Sequence, residues 1–179
     1  MIAALNAAEP AVFALMDYWT FDGWFALKKR LTEVGAPVLK KMVFPGIELR
    51  LMAPMNGRLN AHVLFSNEID DQVLRDFKSA LKVEIIDRPL SNDALIKLAQ
   101  LVGEDKLNHH GFKKDEVDSD DDVALRAGST IAEINCDSYK LAIEKVASGQ
   151  AIGYMPFDTS DGLSKVKWQE HYAYVLGLF

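Results

Sequence analysis

Two apolar segments separated by a proline- and glycine-containing turn constrain the fold of this chain more than any other feature. Residues 42–52 and 60–66 have the composition of β-strands, and residues 53–57 have the composition of a turn. Each strand carries one ionisable side chain that could bind metal, Glu48 in the first and His62 in the second. An ionised glutamate is rarely buried without a partner. The sequence therefore predicts that Glu48 and His62 face the same interior and share a metal, a water or a hydrogen bond.

The composition is typical of one globular domain. The chain of 179 residues is long enough for a sizeable core, and we expect a single domain over residues 1–179. The net charge of −6 argues against a nucleic-acid footprint spread over the surface and leaves only a local basic patch, at residues 28–30 followed by 40–41. No apolar stretch approaches the roughly 18 residues that a membrane helix needs. The first residues make a poor signal peptide. The single cysteine, Cys136, fits a reducing compartment. We therefore expect a cytoplasmic protein without membrane contact.

Strands and helices alternate along the chain. Apolar runs predict three further strands, at residues 11–16, 82–87 and 151–157. Helical patterns predict five helices, at residues 21–33, 70–81, 91–102, 138–148 and 163–176. Residues 104–119 are predicted to form a polar loop, and residues 120–134 a helix or a helix followed by a strand. This order implies a mainly parallel sheet or a barrel of βα units, with one antiparallel pair where Glu48 and His62 meet.

Four short segments carry a family likeness. They are LMDY at residues 15–18 with FDG at 21–23, PGIE at 45–48, NAHVLF at 60–65 and YMPFDTSDGL at 154–163. In order and spacing they resemble the polymerase and histidinol phosphatase (PHP) family, and most closely the PHP-like domains that are fused to an ATPase. The chain has no glycine-rich phosphate loop, so the ATPase part of that architecture is not expected here.

The resemblance implies a distorted (β/α) barrel whose active members bind several metals at the ends of the strands and hydrolyse phosphoesters. It would make Glu48 a metal-bridging carboxylate and His62 a ligand of Zn²⁺, Mn²⁺ or Mg²⁺. It would also place Asp17, Tyr18 and Asp158 beside that site. The expected fold class is thus α/β, an incomplete or distorted (β/α) barrel-like single domain that is PHP-like.

The sequence departs from the metal-binding pattern of that family. The resemblance calls for a His-x-His pair ahead of residue 11, a histidine after Asp17 and a histidine two residues after Asp158, and none of them is present. Glu48 and His62 match, and His109 or His110 is a candidate third ligand if it does not lie in a solvent-facing loop. Such a set is too small for a centre that holds several metals.

These departures predict a non-catalytic or impaired PHP-like domain that acts as a binding or accessory module, such as one from a mobile or defence-associated locus. The alternative is a metal-dependent phosphoesterase or nuclease that uses Glu48, His62 and His109 or His110. A small-ligand binding protein is a third class. The only cofactor considered is one divalent metal, Zn, Mn or Mg.

The partner we expect is a second copy of the chain. Without the first strand of the family, the strand at residues 11–17 would lose a neighbour and expose an uncharged edge, which natural proteins cover. Folding back of residues 1–8 would cover that edge within one chain, whereas two-fold pairing of two copies would give a homodimer. We predict the homodimer, and a different protein partner is the other interaction considered.

Overall fold

A mixed four-stranded sheet organises the chain in the computed structural model, which describes residues 1–53, 59–156, 175 and 177–179. The strands of the chain are β1 (Val12–Tyr18), β2 (Met42–Leu51), β3 (Leu59–Phe65), β4 (Lys82–Val83), β5 (Arg88–Pro89) and β6 (Ala151–Tyr154). The main sheet has the order β1-β2-β3-β6, and β4 and β5 form a separate hairpin. Only the β1/β2 pair is parallel, while β2/β3 and β3/β6 are antiparallel.

The described part of the chain has eight helices. They are α1 (Ile2–Ala7), α2 (Asp22–Leu31), α3 (Asp71–Ala80), α4 (Asn92–Leu101), α5 (Glu104–His109), α6 (Lys114–Ser119), α7 (Asp121–Ile131) and α8 (Cys136–Glu144). Of these, α1, α5 and α6 were not predicted. Short polar side chains cap four of them, because Asp70, Ser91, Asp120 and Asn135 accept hydrogen bonds from N–H groups in the first turns of α3, α4, α7 and α8. Within the described residues, no helix has the length and apolar character that crossing a membrane requires.

One face of the main sheet lies in the core. Burial alternates along β3, and the inward residues Ala61 and Val63 have no exposed surface. Ile47 and Leu49 of β2 are equally buried. These strand residues belong to one continuous core cluster with apolar residues of the helices, among them Leu74, Leu98 and Ile131. We call this side of the sheet the covered face, and the opposite side the open face.

The expected barrel is not closed in the described part of the chain. There β1 is bonded to β2 alone and β6 to β3 alone, so that the sheet has two edges. The extended residue Ile134 links the two sheets, since it bridges Leu51 of β2 and Val83 of β4. The fold is therefore an α/β single domain with a mixed four-stranded sheet. The expectation of a mainly parallel sheet is wrong, because only the βαβ unit β1-α2-β2 is parallel.

Most predicted elements are confirmed, but the strand predicted at residues 82–87 is only the two-residue β4 followed by a turn. The predicted loop at residues 104–119 is the clearest error. That segment forms α5 and α6, each with one fully buried apolar residue, Leu107 and Val117. One buried residue per helix gives no apolar periodicity, and this is why the sequence pattern predicted a polar loop. Inside α6 the Lys114 ammonium donates a hydrogen bond to the Asp118 carboxylate at 2.5 Å. The predicted helix at residues 163–176, apart from the helical residue 175, and most of the turn at 53–57 lie outside the described residues.

Candidate functional site

Four side chains form one row across all four strands of the main sheet. Tyr18 on β1 is in register with Glu48 on β2, Glu48 with His62 on β3, and His62 with Tyr154 on β6. Residues in register on neighbouring strands project to the same side of a sheet. The row lies on the open face, since its neighbours along the strands, such as Ile47 and Val63, are buried in the core. We call Tyr18, Glu48, His62 and Tyr154 the polar row.

Glu48 and His62 occupy the middle of the polar row. The Nε2 atom of His62 lies 3.8 Å from Oε2 of Glu48, with side-chain exposures of 19% and 30%. The amide of Asn60 donates a long hydrogen bond of 3.4 Å to the other carboxylate oxygen. The prediction that Glu48 and His62 share a face and approach each other is confirmed. The prediction that they face an interior is wrong, because both side chains are partly exposed to solvent.

An aromatic residue lies at each end of the polar row. The His62 ring stacks on the Tyr154 ring, with centroids 5.1 Å apart and planes inclined by 16°. Burial, and to a smaller extent the Glu48 carboxylate, raises the pKa of the Tyr154 phenol. The Tyr154 hydroxyl therefore keeps its proton at neutral pH and can donate a hydrogen bond. At the other end, the Arg50 guanidinium lies over the Tyr18 ring, with Cζ 5.1 Å from its centroid.

The backbone next to Tyr18 is held in an unusual conformation. Trp19 has a positive φ of 66° although it is bulky, a region that such residues rarely adopt. Its backbone N–H donates to the Glu48 carbonyl at 3.2 Å, and its indole N–H donates to the Ser129 carbonyl at 2.9 Å. Residues held in such conformations cluster at functional sites, where the surrounding structure fixes them. Trp19 thus fixes the end of β1 from which Tyr18 projects.

The next rows of the open face are apolar. Met16, Gly46, Leu64 and Ile152 form the row beside the polar row. A Cβ atom on Gly46 would lie 2.7 Å from Cε of Met16, which shows that the methionine side chain fills the space above the glycine. Phe44, Leu64 and Ile152 line an open groove of about 430 Å³. The polar row therefore borders an apolar groove on the same face.

Asp17 does not lie in the polar row. It alternates with Tyr18 and points to the covered face, where its carboxylate accepts a hydrogen bond of 2.6 Å from the backbone N–H of Gly23 in the first turn of α2. A Cβ atom at Gly23 would lie 2.7 Å from Oδ1 of Asp17. The carboxylate thus satisfies a free N–H group at the start of the helix, which is a structural role.

The structure does not group the remaining predicted ligands with Glu48 and His62. His109 is the last residue of α5 and His110 follows it, with their rings in edge-to-face contact at 5.0 Å. In the described ranges, no three His, Cys, Asp or Glu side chains lie close enough together to hold a metal ion. Asp158, which the resemblance also placed at the site, lies outside the described residues.

Glu48 and His62 can share one cation but provide only two ligands. In a tetrahedral zinc site, donor atoms lie roughly 3.3 Å apart. The separation of 3.8 Å in this chain therefore needs only a small side-chain rotation. The Nδ1 atom of His62 is buried without a hydrogen-bond partner among the described residues. A histidine that binds metal tightly usually donates its second ring N–H to such a partner. The pair therefore fits a single, weakly held divalent cation.

Sequence reasoning missed Tyr154 as a member of the site, together with Arg50 and Asn60 beside it. Strand alternation could have indicated Arg50 and Asn60, since they are two residues from Glu48 and His62 on the same strands. Comparison of the chain with protein-family models, with curated proteins and with solved structures finds no match.

Proposed function

We propose that this chain is a PHP-like binding or accessory module whose polar row binds one divalent cation weakly and does not hydrolyse phosphoesters. The observation that carries the proposal is the composition of the row, in which two metal-capable side chains lie between two tyrosines. An unperturbed phenol has a pKa near 10, so a neutral tyrosine hydroxyl is a hydrogen-bond donor and a poor metal ligand at neutral pH.

The number of ligands argues for binding instead of catalysis. A catalytic zinc site ordinarily has three protein ligands and one open position for water, and a centre with two metals needs more. The polar row provides Glu48 and His62. When bound, a cation would supply Lewis acidity. Glu48 and His62 would hold it, and the Tyr154 hydroxyl could donate a hydrogen bond to a ligand beside it.

The exposure of the row suits a binding module. The side chains of Glu48 and His62 are partly accessible, and Tyr154 is 43% exposed. The apolar groove beside them offers contact area to a larger partner. A protein partner that touches both the polar row and the groove therefore fits the accessory role that the resemblance to the PHP family implies.

Calorimetric titration with Zn²⁺ and Mn²⁺, combined with hydrolysis of bis(p-nitrophenyl) phosphate, tests the proposal. The expected result is weak binding of one ion that is lost in Glu48→Gln and His62→Ala, without turnover. His109→Ala is the matched control, because it removes an exposed imidazole outside the row and should leave binding unchanged.

The alternative function, a metal-dependent phosphoesterase or nuclease, predicts a different result in the same experiment. Turnover that requires Glu48 and His62, and that falls in His109→Ala or His110→Ala, would establish the enzyme and overturn the binding module. Metal binding that persists in both Glu48→Gln and His62→Ala would show that the polar row is not the site.

A further inference from the structure

The outer edge of β1 carries a short set of outward-facing backbone groups. The Met42 N–H donates to the Ala11 carbonyl and the Trp19 N–H donates to the Glu48 carbonyl. Hydrogen bonding to a neighbouring strand alternates along a strand, and these two bonds show that the odd-numbered residues of β1 bond to β2. Val12, Ala14 and Met16 therefore direct their N–H and C=O groups away from the sheet. Among the described residues, no hydrogen bond reaches these groups.

This edge lacks the features with which proteins protect exposed strands. Charged side chains, prolines and bulges prevent pairing at edges. In β1 the single charged residue is Asp17, whose carboxylate points to the covered face and accepts from Gly23. Val12 is 55% exposed, and Met42 beside it on β2 is 51% exposed. The outer edge of β1 is thus neutral and apolar, and Val12 and Ala14 are exposed on it.

We propose that two copies of the chain pair through this edge as antiparallel β1 strands, with Ala14 of each copy on the two-fold axis. An antiparallel pair centred on Ala14 places Val12 opposite Met16 of the partner and Phe13 opposite Leu15 of the partner. This register engages the outward groups of Val12, Ala14 and Met16 in both copies and buries no charge.

The chemistry of the edge favours a second copy over another occupant. Each chain carries a net charge of −6, so contact between two copies is opposed unless the contact surface is uncharged. The five residues from Val12 to Met16 are all apolar and complementary to themselves about Ala14. Pairing through this edge joins two sheets side by side and leaves Glu48, His62 and Tyr154 of both copies accessible. The dimer is therefore independent of the metal-binding proposal.

Light scattering after size-exclusion chromatography, at tens of micromolar protein, measures the association state. The expected mass is about twice the chain mass of 19.9 kDa. Ala14→Pro removes an outward N–H that the chain itself does not use, and Ala14→Lys adds a charge at the axis. Both should give the mass of a single chain. Ile152→Lys is the control, since it adds the same charge to an exposed residue of β6 on the same face, and should stay dimeric.

Disulfide trapping tests the register and does not depend on the folding of the proline variant. Ala14→Cys places two thiols across the two-fold axis, at a Cα separation of roughly 5.5 Å that suits a disulfide. Val12 is also exposed, but Val12→Cys would lie far from its own copy in this register. Covalent dimer from Ala14→Cys and not from Val12→Cys supports the proposal. A single-chain mass for the unmodified protein, or equal trapping of both variants, overturns it.

Discussion

The two faces of the main sheet are built from alternate residues of the same strands, yet they differ in burial and in where they carry ionisable side chains. Ile47, Leu49 and Val63 on the covered face have no exposed surface. Glu48 and His62, their immediate neighbours in sequence, are partly exposed and polar. The comparison teaches that the covered face carries the stability of the domain and that the open face is free to carry chemistry. Substitutions on the two faces should therefore have very different effects.

The largest difference in the free energy of unfolding is expected between alanine substitutions of two leucines on adjacent strands. Leu49→Ala removes a fully buried side chain from the covered face and should lower the free energy of unfolding by about 2–5 kcal/mol. The Leu64 side chain on the open face is half-buried, and Leu64→Ala should lower the free energy of unfolding by less than about 1.5 kcal/mol, because the space it leaves is open to solvent. Urea denaturation of both variants measures the difference, and equal losses would contradict the distinction between the faces.

A smaller loss in the free energy of unfolding is expected when the hydrogen bond of the Asp17 carboxylate on the covered face is broken. Gly23→Ala would push a Cβ atom into the Asp17 carboxylate and break the hydrogen bond to α2. We expect a loss of about 1–3 kcal/mol, the cost of a hydrogen bond to a charged group. The double variant with Asp17→Ala should lose less than the sum of the two single variants, because both remove one interaction. Additive losses in the urea denaturation would show that Asp17 has another role.

Tyr139 is expected to lower stability slightly, because its hydroxyl is fully buried near Gly153 without a hydrogen-bond partner among the described residues. Tyr139→Phe should therefore raise the free energy of unfolding at pH 7 by about 1 kcal/mol. Burial, followed by the nearby Cys136, raises the pKa of the Tyr139 phenol in the folded protein. Burial disfavours the ionised phenol in the folded protein, so Tyr139 makes no pH-dependent change to stability below pH of about 10, where the unfolded chain also keeps the proton. Above that pH the unfolded chain ionises more readily than the folded protein, and stability is lost.

The effect of high pH is tested by measuring the free energy of unfolding of the wild type and of Tyr139→Phe between pH 9 and about 11. The stability of the wild type should fall more steeply above pH of about 10 than that of the variant. Tyr154→Phe is the control, since Tyr154 is 43% exposed and its loss should change the slope less. Parallel curves for wild type and Tyr139→Phe would contradict the assignment.

The smallest expected effect is on metal affinity instead of stability, and it comes from Tyr18→His on the open face. The same substitution should increase Zn²⁺ affinity, because it adds an imidazole in register with Glu48. Calorimetry of wild type and variant measures the affinity. Identical titrations would show that the position of Tyr18 lies outside the reach of a cation held by Glu48 and His62.

The sequence allowed the central pair of the site to be predicted, because alternation within two adjacent strands requires little more than a hairpin. Glu48 and His62 are brought together by the β2/β3 register alone. Tyr154 could not be assigned in this way, since its position in the row depends on the pairing of β6 with β3 from a distant part of the chain.

The face of the sheet to which Asp17 points could not be predicted from the sequence either. The run from residue 11 to 16 is apolar at every position, so that it contains no alternation from which the inward residues could be identified. Only the parallel pairing with β2 and the hydrogen bond to Gly23 show that Asp17 points to the covered face and Tyr18 to the open one. Which face of a sheet is covered depends on helix packing, which strand composition does not specify.

A Zn²⁺ titration followed by ¹H–¹⁵N correlation NMR shows which residues a cation contacts, and so whether the polar row on the open face is the binding site. We expect saturable shifts that cluster at Tyr18, Glu48, His62 and Tyr154 and their strand neighbours. His109 and His110 should show no specific shifts. Shifts that centre on the two adjacent histidines while the polar row stays unperturbed would show that the cation binds elsewhere.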